Sequence, residues 1–236
     1  MSEVKAGAND PFDGMPISKV LSYIGLQAVF FTAIALALWR MAGRSEWKFV
    51  TFSFGETGNG LLLAIALIAL SAGLAKTFPR YAEWLIRSQA RNYSFLKNRI
   101  SIGAIIFISL CAGIGEEALF RGGLQTLLGD FLPLPLALAL ASALFALIHF
   151  AQPLNSALIF IIGCLFGVVY WQTESLLTVM VAHAVYDVYA LWALQKAMHE
   201  LGLFDEEPSS PASRPLPPGE ENETLGANTD TTGETL

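Results

Sequence analysis

The stretch ISIGAIIFISLCAGIGEEALFRGGLQ, residues 100–125, runs from an apolar helix-length segment into Glu116, Glu117 and Arg121. An ionised side chain at the centre of a bilayer costs at least ~2.5–3.5 kcal/mol on insertion scales. Three such groups within six positions need compensation from each other and from elsewhere in the chain. The surroundings make this a membrane question. The 236 residues are 54% hydrophobic and 14% charged, with a mean hydropathy of +0.52. Soluble domains average about 25% charged. The composition therefore predicts an all-α, polytopic membrane helix bundle with no nucleic-acid partner.

About 20 predominantly apolar residues cross a bilayer as a helix. Six segments qualify: residues 20–39, 59–76, 101–128, 133–151, 154–172 and 175–196. The first, VLSYIGLQAVFFTAIALALW, is too long for the core of a cleaved signal peptide and reads as a membrane span. Residues 1–18 are polar and read as a mobile lead-in. Residues 19–99 supply two spans and a basic segment, and residues 100–197 supply a core of four spans. Residues 205–236 are rich in Pro, Ser, Thr and Glu and read as a disordered tail. The net charge of −6 belongs to that tail. Its eight acids against Arg214 give −7, which leaves +1 for the rest. Cys111 and Cys164 lie in apolar runs without a CxxC pattern and read as small buried residues.

Residues 80–99, RYAEWLIRSQARNYSFLKNR, alternate basic and aromatic side chains as an interfacial amphipathic helix would. Lys and Arg favour the cytoplasmic side. Six of them (Lys76, Arg80, Arg87, Arg91, Lys97, Arg99) separate spans two and three, against three (Arg40, Arg44, Lys48) between spans one and two. Both termini are therefore expected in the cytoplasm. Trp171 beside QTES reads as an anchor at the other face. The compact length and short loops suggest a bacterial cytoplasmic membrane.

Ionisable residues inside spans are functional hypotheses by default. Besides the glutamates and Arg121 there are His149, His183 and Asp187, whereas His199 reads as an exposed helix end. Glu117 and Arg121 are i,i+4 in the favourable order and can neutralise each other. His183 and Asp187 share a face, and so do Phe145 and His149. Glu116 has no local partner and must look to His149 or His183. The rise of 1.5 Å per residue makes Glu116 and His149 level but leaves His183 some 8–13 Å off. Span three, at 28 residues, is long for one crossing, and CAGIG is a place where it can bend. Gly122, Gly123, Gly163 and Gly167 read as packing positions.

Three motifs in order, EExxxR (Glu116, Glu117, Arg121), FxxxH (Phe145, His149) and HxxxD (His183, Asp187), resemble those of the CPBP family. These are the type II CAAX prenyl proteases and bacteriocin-processing homologues, also called the ABI family. The resemblance covers about residues 100–195, and FRG (Phe120, Arg121, Gly122) adds to it. It implies an intramembrane endopeptidase acting on a membrane-associated, lipid-modified or unmodified, peptide. Glu116 would activate water, His149 would assist, and His183 with Asp187 would orient the site or stabilise the oxyanion. Phe120 and Phe145 would pack around it or touch substrate. The family more often has Asn where this chain has Asp187, and an ionised Asp cannot donate a hydrogen bond. Glu116, His149 and His183 are also a donor set for a catalytic zinc ion, although no HExxH chelate is present. A non-catalytic scaffold or immunity protein on the same fold, and a proton- or ion-coupled transporter, are the competing readings.

Overall fold

The computed structural model describes residues 12–90, 92–149 and 153–204. The expectations for residues 1–11, for Arg91 and for the acidic tail at 205–236 fall outside them. Among the described residues all regular structure is helical. The helices are α1 (Ile17–Met41), α2 (Phe54–Thr77), α3 (Pro79–Gln89), α4 (Ile102–Gly129), α5 (Leu134–Leu147), α6 (Pro153–Thr173) and α7 (Leu176–Glu200). Local chemistry marks where they begin. The hydroxyls of Ser53, Ser101 and Ser175 accept hydrogen bonds from Gly55, Ala104 and Thr178 N–H groups, satisfying donors that have no partner within the helix. Pro79 and Pro153 sit at first helical positions, where a missing N–H costs nothing.

Five of these helices, α1, α2, α4, α6 and α7, are long and apolar enough to cross a membrane. The chain is an integral membrane protein. Leu26, Val29, Phe30, Leu62, Ile65 and Leu70 are largely exposed. Such a surface would be anomalous in water and is the expected skin of a bundle solvated by lipid. The sixth expected span is a shorter helix: α5 has 14 residues, about 21 Å of length against a ~30 Å hydrocarbon core. It stops early because His149 folds back, and its Nδ1 lies 2.7 Å from the Phe145 carbonyl. The ring satisfies a helix-end acceptor and closes the helix. The basic amphipathic segment is shorter too, helical over α3 with a single further turn at Ser94–Leu96.

α7 is the central helix, packed against α2 and α4, while α1 packs along α4 and α5 pairs with α6. Small residues allow this. A Cβ on Gly113 would stand 2.8 Å from the Ala184 nitrogen and 2.9 Å from the Met180 carbonyl oxygen. No real Cβ sits that close to backbone, so α4 and α7 touch there through glycine. One turn beyond that crossing come Glu116 and Glu117 on α4. CAGIG itself is regular α-helix. Beyond it the helix widens over Ala118–Gln125 into π-helical turns, a form found mostly at functional sites. His199 is half-buried and not an exposed end: its Nε2 lies 3.0 Å from the Leu96 carbonyl. Gln195 holds the Ile100 N–H at 2.8 Å, so α7 pins the segment leading into α4.

Gly113→Val should therefore push α4 off α7 and cost at least the ~1–3 kcal/mol typical of overpacking. The check is unfolding of the purified protein in detergent, with Gly73→Val, a position with nothing within 4 Å of a Cβ, as the mild control. A second expectation concerns the turn after α4. Arg44 binds both oxygens of Asp130 at 2.8 Å. Chiefly through that hydrogen bond it holds the Asp130 carboxyl below its ordinary range. A carboxyl depressed on folding adds stability above its unfolded pKa of about 3.9, and this is lost as pH falls through the lower folded value. Asp130→Asn should cost under about 1 kcal/mol at neutral pH, because the pair is a third exposed. It should also flatten the acid limb of the stability profile below about pH 4.

Candidate functional site

Two successive glutamates on a helix point about 100° apart, and α4 uses both directions. Glu117 is fully buried. Its Oε1 accepts from Arg121 Nη1 at 3.1 Å and from His183 Nδ1 at 2.7 Å. Arg121 is buried beside it. Nη2 donates to the Gly163 carbonyl at 2.9 Å, and the guanidinium lies over the Phe145 ring, 4.6 Å from its centroid. The expected i,i+4 pair is present, but its carboxylate is shared. Glu117 fixes the orientation of His183 as well as offsetting Arg121.

Glu116 turns to the other side. Its Oε2 lies 3.8 Å from His149 Nε2 and 3.9 Å from His183 Nε2. Both distances are too long for direct hydrogen bonds and suit one bridging oxygen atom. That Oε2 is buried and accepts no hydrogen bond among the described residues. His183 Nε2 also faces Asp187 Oδ2 at 3.4 Å. The tautomers follow from the partners. A carbonyl only accepts, so His149 Nδ1 carries a hydrogen toward Phe145. Glu117 as a carboxylate likewise receives the His183 Nδ1–H. In each neutral ring Nε2 then bears the lone pair, and both Nε2 atoms face Glu116. The cluster holds three carboxylates (Glu116, Glu117, Asp187) against one guanidinium.

Glu116, Glu117, Arg121, His149, His183 and Asp187 are therefore brought together. The depth offset computed for His183 vanishes because α7 does not start at the surface. Ser175, Leu176 and Thr178 are buried, and the Thr178 hydroxyl donates to the Glu56 carbonyl at 3.1 Å. The helix begins inside the protein, so counting residues from a common surface misplaces it. Phe120 and Phe145 are both buried and packed edge-to-face at 5.3 Å. Phe145 also meets His149 edge-on at 4.8 Å.

The sequence reading missed two residues. Phe166 lies against His183 at 5.5 Å, the second aromatic wall of that ring. Tyr93, in the loop before α4, has its phenol pushed up by burial and then by the fields of Asp187 and Glu116, and so stays an O–H near the carboxylates. Neither falls in a motif, and Tyr93 sits in a segment whose basic character masks it. A zinc ion with ligands at ~2.0–2.1 Å draws tetrahedral donor atoms to within about 3.4 Å of each other. The 3.8 and 3.9 Å separations exceed that. Among the described residues no group of three His, Cys, Asp or Glu side chains is arranged to hold a metal ion. The donor set does not fit a zinc centre as it stands, and no step is routed through one.

Residues 98–189 match the family described as Type II CAAX prenyl endopeptidase Rce1-like. The chain is also 33% identical over 165 residues to the uncharacterized protein YpbD of Bacillus subtilis (strain 168), covering 65% of this chain and 79% of that one. No solved structure matches it.

Removing one partner of a buried ion pair costs about 3–5 kcal/mol, whereas replacing both by neutral groups is far milder. Arg121→Met should thus destabilise strongly, and Glu117→Gln/Arg121→Met should recover much of the loss. A double-mutant cycle on unfolding in detergent measures this. Additive losses would show that the pair is not coupled.

Proposed function

Because the chain belongs to the Type II CAAX prenyl endopeptidase Rce1-like family, we propose that it hydrolyses a peptide bond of a membrane-associated substrate, with Glu116 as the base. The observation that carries this reading is the buried Glu116 Oε2. It has no hydrogen-bond partner among the described residues and stands under 4 Å from two imidazole Nε2 atoms. An oxygen held between these groups is polarised from three sides. In the proposed step a water O–H bond breaks, its proton passes to Glu116, and the oxygen bonds to the substrate carbonyl carbon. The resulting oxyanion is met by His183, whose Nδ1 is held by Glu117 and whose Nε2 faces the site and donates to it when the ring carries a second proton. When the C–N bond breaks, the proton returns to the leaving amine, with His149 Nε2 in position to relay it. Asp187 cannot donate while ionised. Its place 3.4 Å from His183 Nε2 suits it to balance the charge on that ring.

The substrate proposed is a peptide at the membrane surface, cleaved near its C-terminus, with a lipid-modified residue as one form. The proposed orientation puts the basic end, with Lys76, Arg80, Arg87, Lys97 and Arg99, in the cytoplasm of a bacterial cell. The test uses purified protein in liposomes, a farnesylated CAAX peptide and an unmodified membrane-spanning peptide, with cleavage read by mass spectrometry. Glu116→Gln keeps size and polarity but removes the base, and should slow cleavage by the ~10²–10⁴-fold that general-base catalysis supplies. Wild-type rates in Glu116→Gln would remove Glu116 from the role and favour a non-catalytic use of the fold.

A further inference from the structure

A concave feature of the molecule lies away from the glutamates. The end of α1, the end of α4, the start of α5 and the end of α6 enclose a cavity of about 850 Å³. That is within the usual ~300–1,000 Å³ of small-molecule sites. Its charges do not all cancel. Arg44 and Asp130 neutralise one another through two hydrogen bonds. Lys48 and Glu174 also line the cavity, and neither appears in an ion pair among the described residues. Among the described residues the cavity therefore presents one cation and one anion outside any ion pair.

Glu174 is notable in itself. Its φ of 51° makes it the one non-glycine residue among those described with a left-handed backbone. It ends α6 where glycine is the usual choice. A carboxylate kept at a strained position beside a cavity points to a role there. Trp39, Tyr170 and Trp171 add aromatic surface to its wall. Trp and Tyr gather at headgroup depth in membrane proteins, and this cavity lies where the ends of α1, α4 and α6 meet. Met41 and Phe131, next to the rim in the chain, are 75% and 77% exposed and offer apolar surface for acyl chains.

We propose that this cavity binds the headgroup of a zwitterionic phospholipid, its phosphate toward Lys48 and its ammonium toward Glu174. The proposal does not depend on the peptidase reading. The test takes the full chain in detergent and titrates dihexanoyl phosphatidylethanolamine, dihexanoyl phosphatidylglycerol and free phosphoethanolamine, with binding read by calorimetry. Phosphatidylethanolamine should bind saturably and about tenfold more tightly than phosphatidylglycerol, as one charge-assisted contact implies. Lys48→Gln and Glu174→Asn should each weaken it about tenfold. Asn tolerates the left-handed backbone, so the second variant keeps the turn. Equal binding of the two lipids by the wild type would overturn the proposal, and so would variants that bind like the wild type. Free phosphoethanolamine binding as tightly as the lipid, with the same dependence on Lys48 and Glu174, would assign the site to a soluble zwitterion and overturn the lipid assignment.

Discussion

The Glu117 carboxylate is the group on which the half of the bundle around the polar cluster depends. It is fully buried, and its Oε1 answers two donors on different elements, Arg121 one turn along α4 and His183 on α7. A buried carboxylate without partners would be prohibitively costly. With these two it ties α4 to α7, while Arg121 extends the tie to α6 through the Gly163 carbonyl and to α5 through the Phe145 ring. Four helices thus meet around one side chain. The neighbouring Glu116 can then be left without a direct partner, because the structure around it is already fixed.

The polar contacts between α4 and α6 continue beyond this point as a ladder. Arg121 reaches the Gly163 carbonyl, Gln125 reaches the Gly167 carbonyl, and the Thr126 hydroxyl meets the Tyr170 hydroxyl at 3.0 Å. Each rung uses a backbone or hydroxyl oxygen that a helix packed in lipid could otherwise satisfy only within itself. GCLFG supplies the glycines whose carbonyls are reachable. The small-residue reading of Gly163 and Gly167 is therefore half of their role. They let the helices approach, and they expose acceptors to long polar side chains.

Much of this was legible in the sequence, and the reasons are specific. The apolar runs fixed the helical membrane class, and the i,i+4 spacing of Glu117 and Arg121 fixed their pairing, because both are local properties. The partners of Glu116 could be narrowed to His149 and His183 by elimination. What could not be read was depth. The buried start of α7 and the His149 cap on α5 depend on tertiary contacts, namely Thr178 with Glu56 and the ring with Phe145. The two-partner role of Glu117 was hidden for the same reason, since His183 is 66 residues away in the chain. Tyr93 and Phe166 carry no spacing signal at all.

The widened stretch Ala118–Gln125 has a consequence for how this protein can vary. A π-helical turn holds more residues than an α-turn, so it behaves as length added to an α-helix without breaking it. Each residue of a π-turn advances around the axis by less than the ~100° of an α-turn, so removing one there would let ordinary i,i+4 bonding resume with the flanking segments facing nearly as before. Glu116 and Thr126, on either side of the stretch, would keep their directions, while the side chains inside it, Arg121 and Gln125 among them, would be redistributed around the helix. What the widened stretch sets is which of its own side chains face α6, and the helix on either side is insulated from a change of one residue in its length.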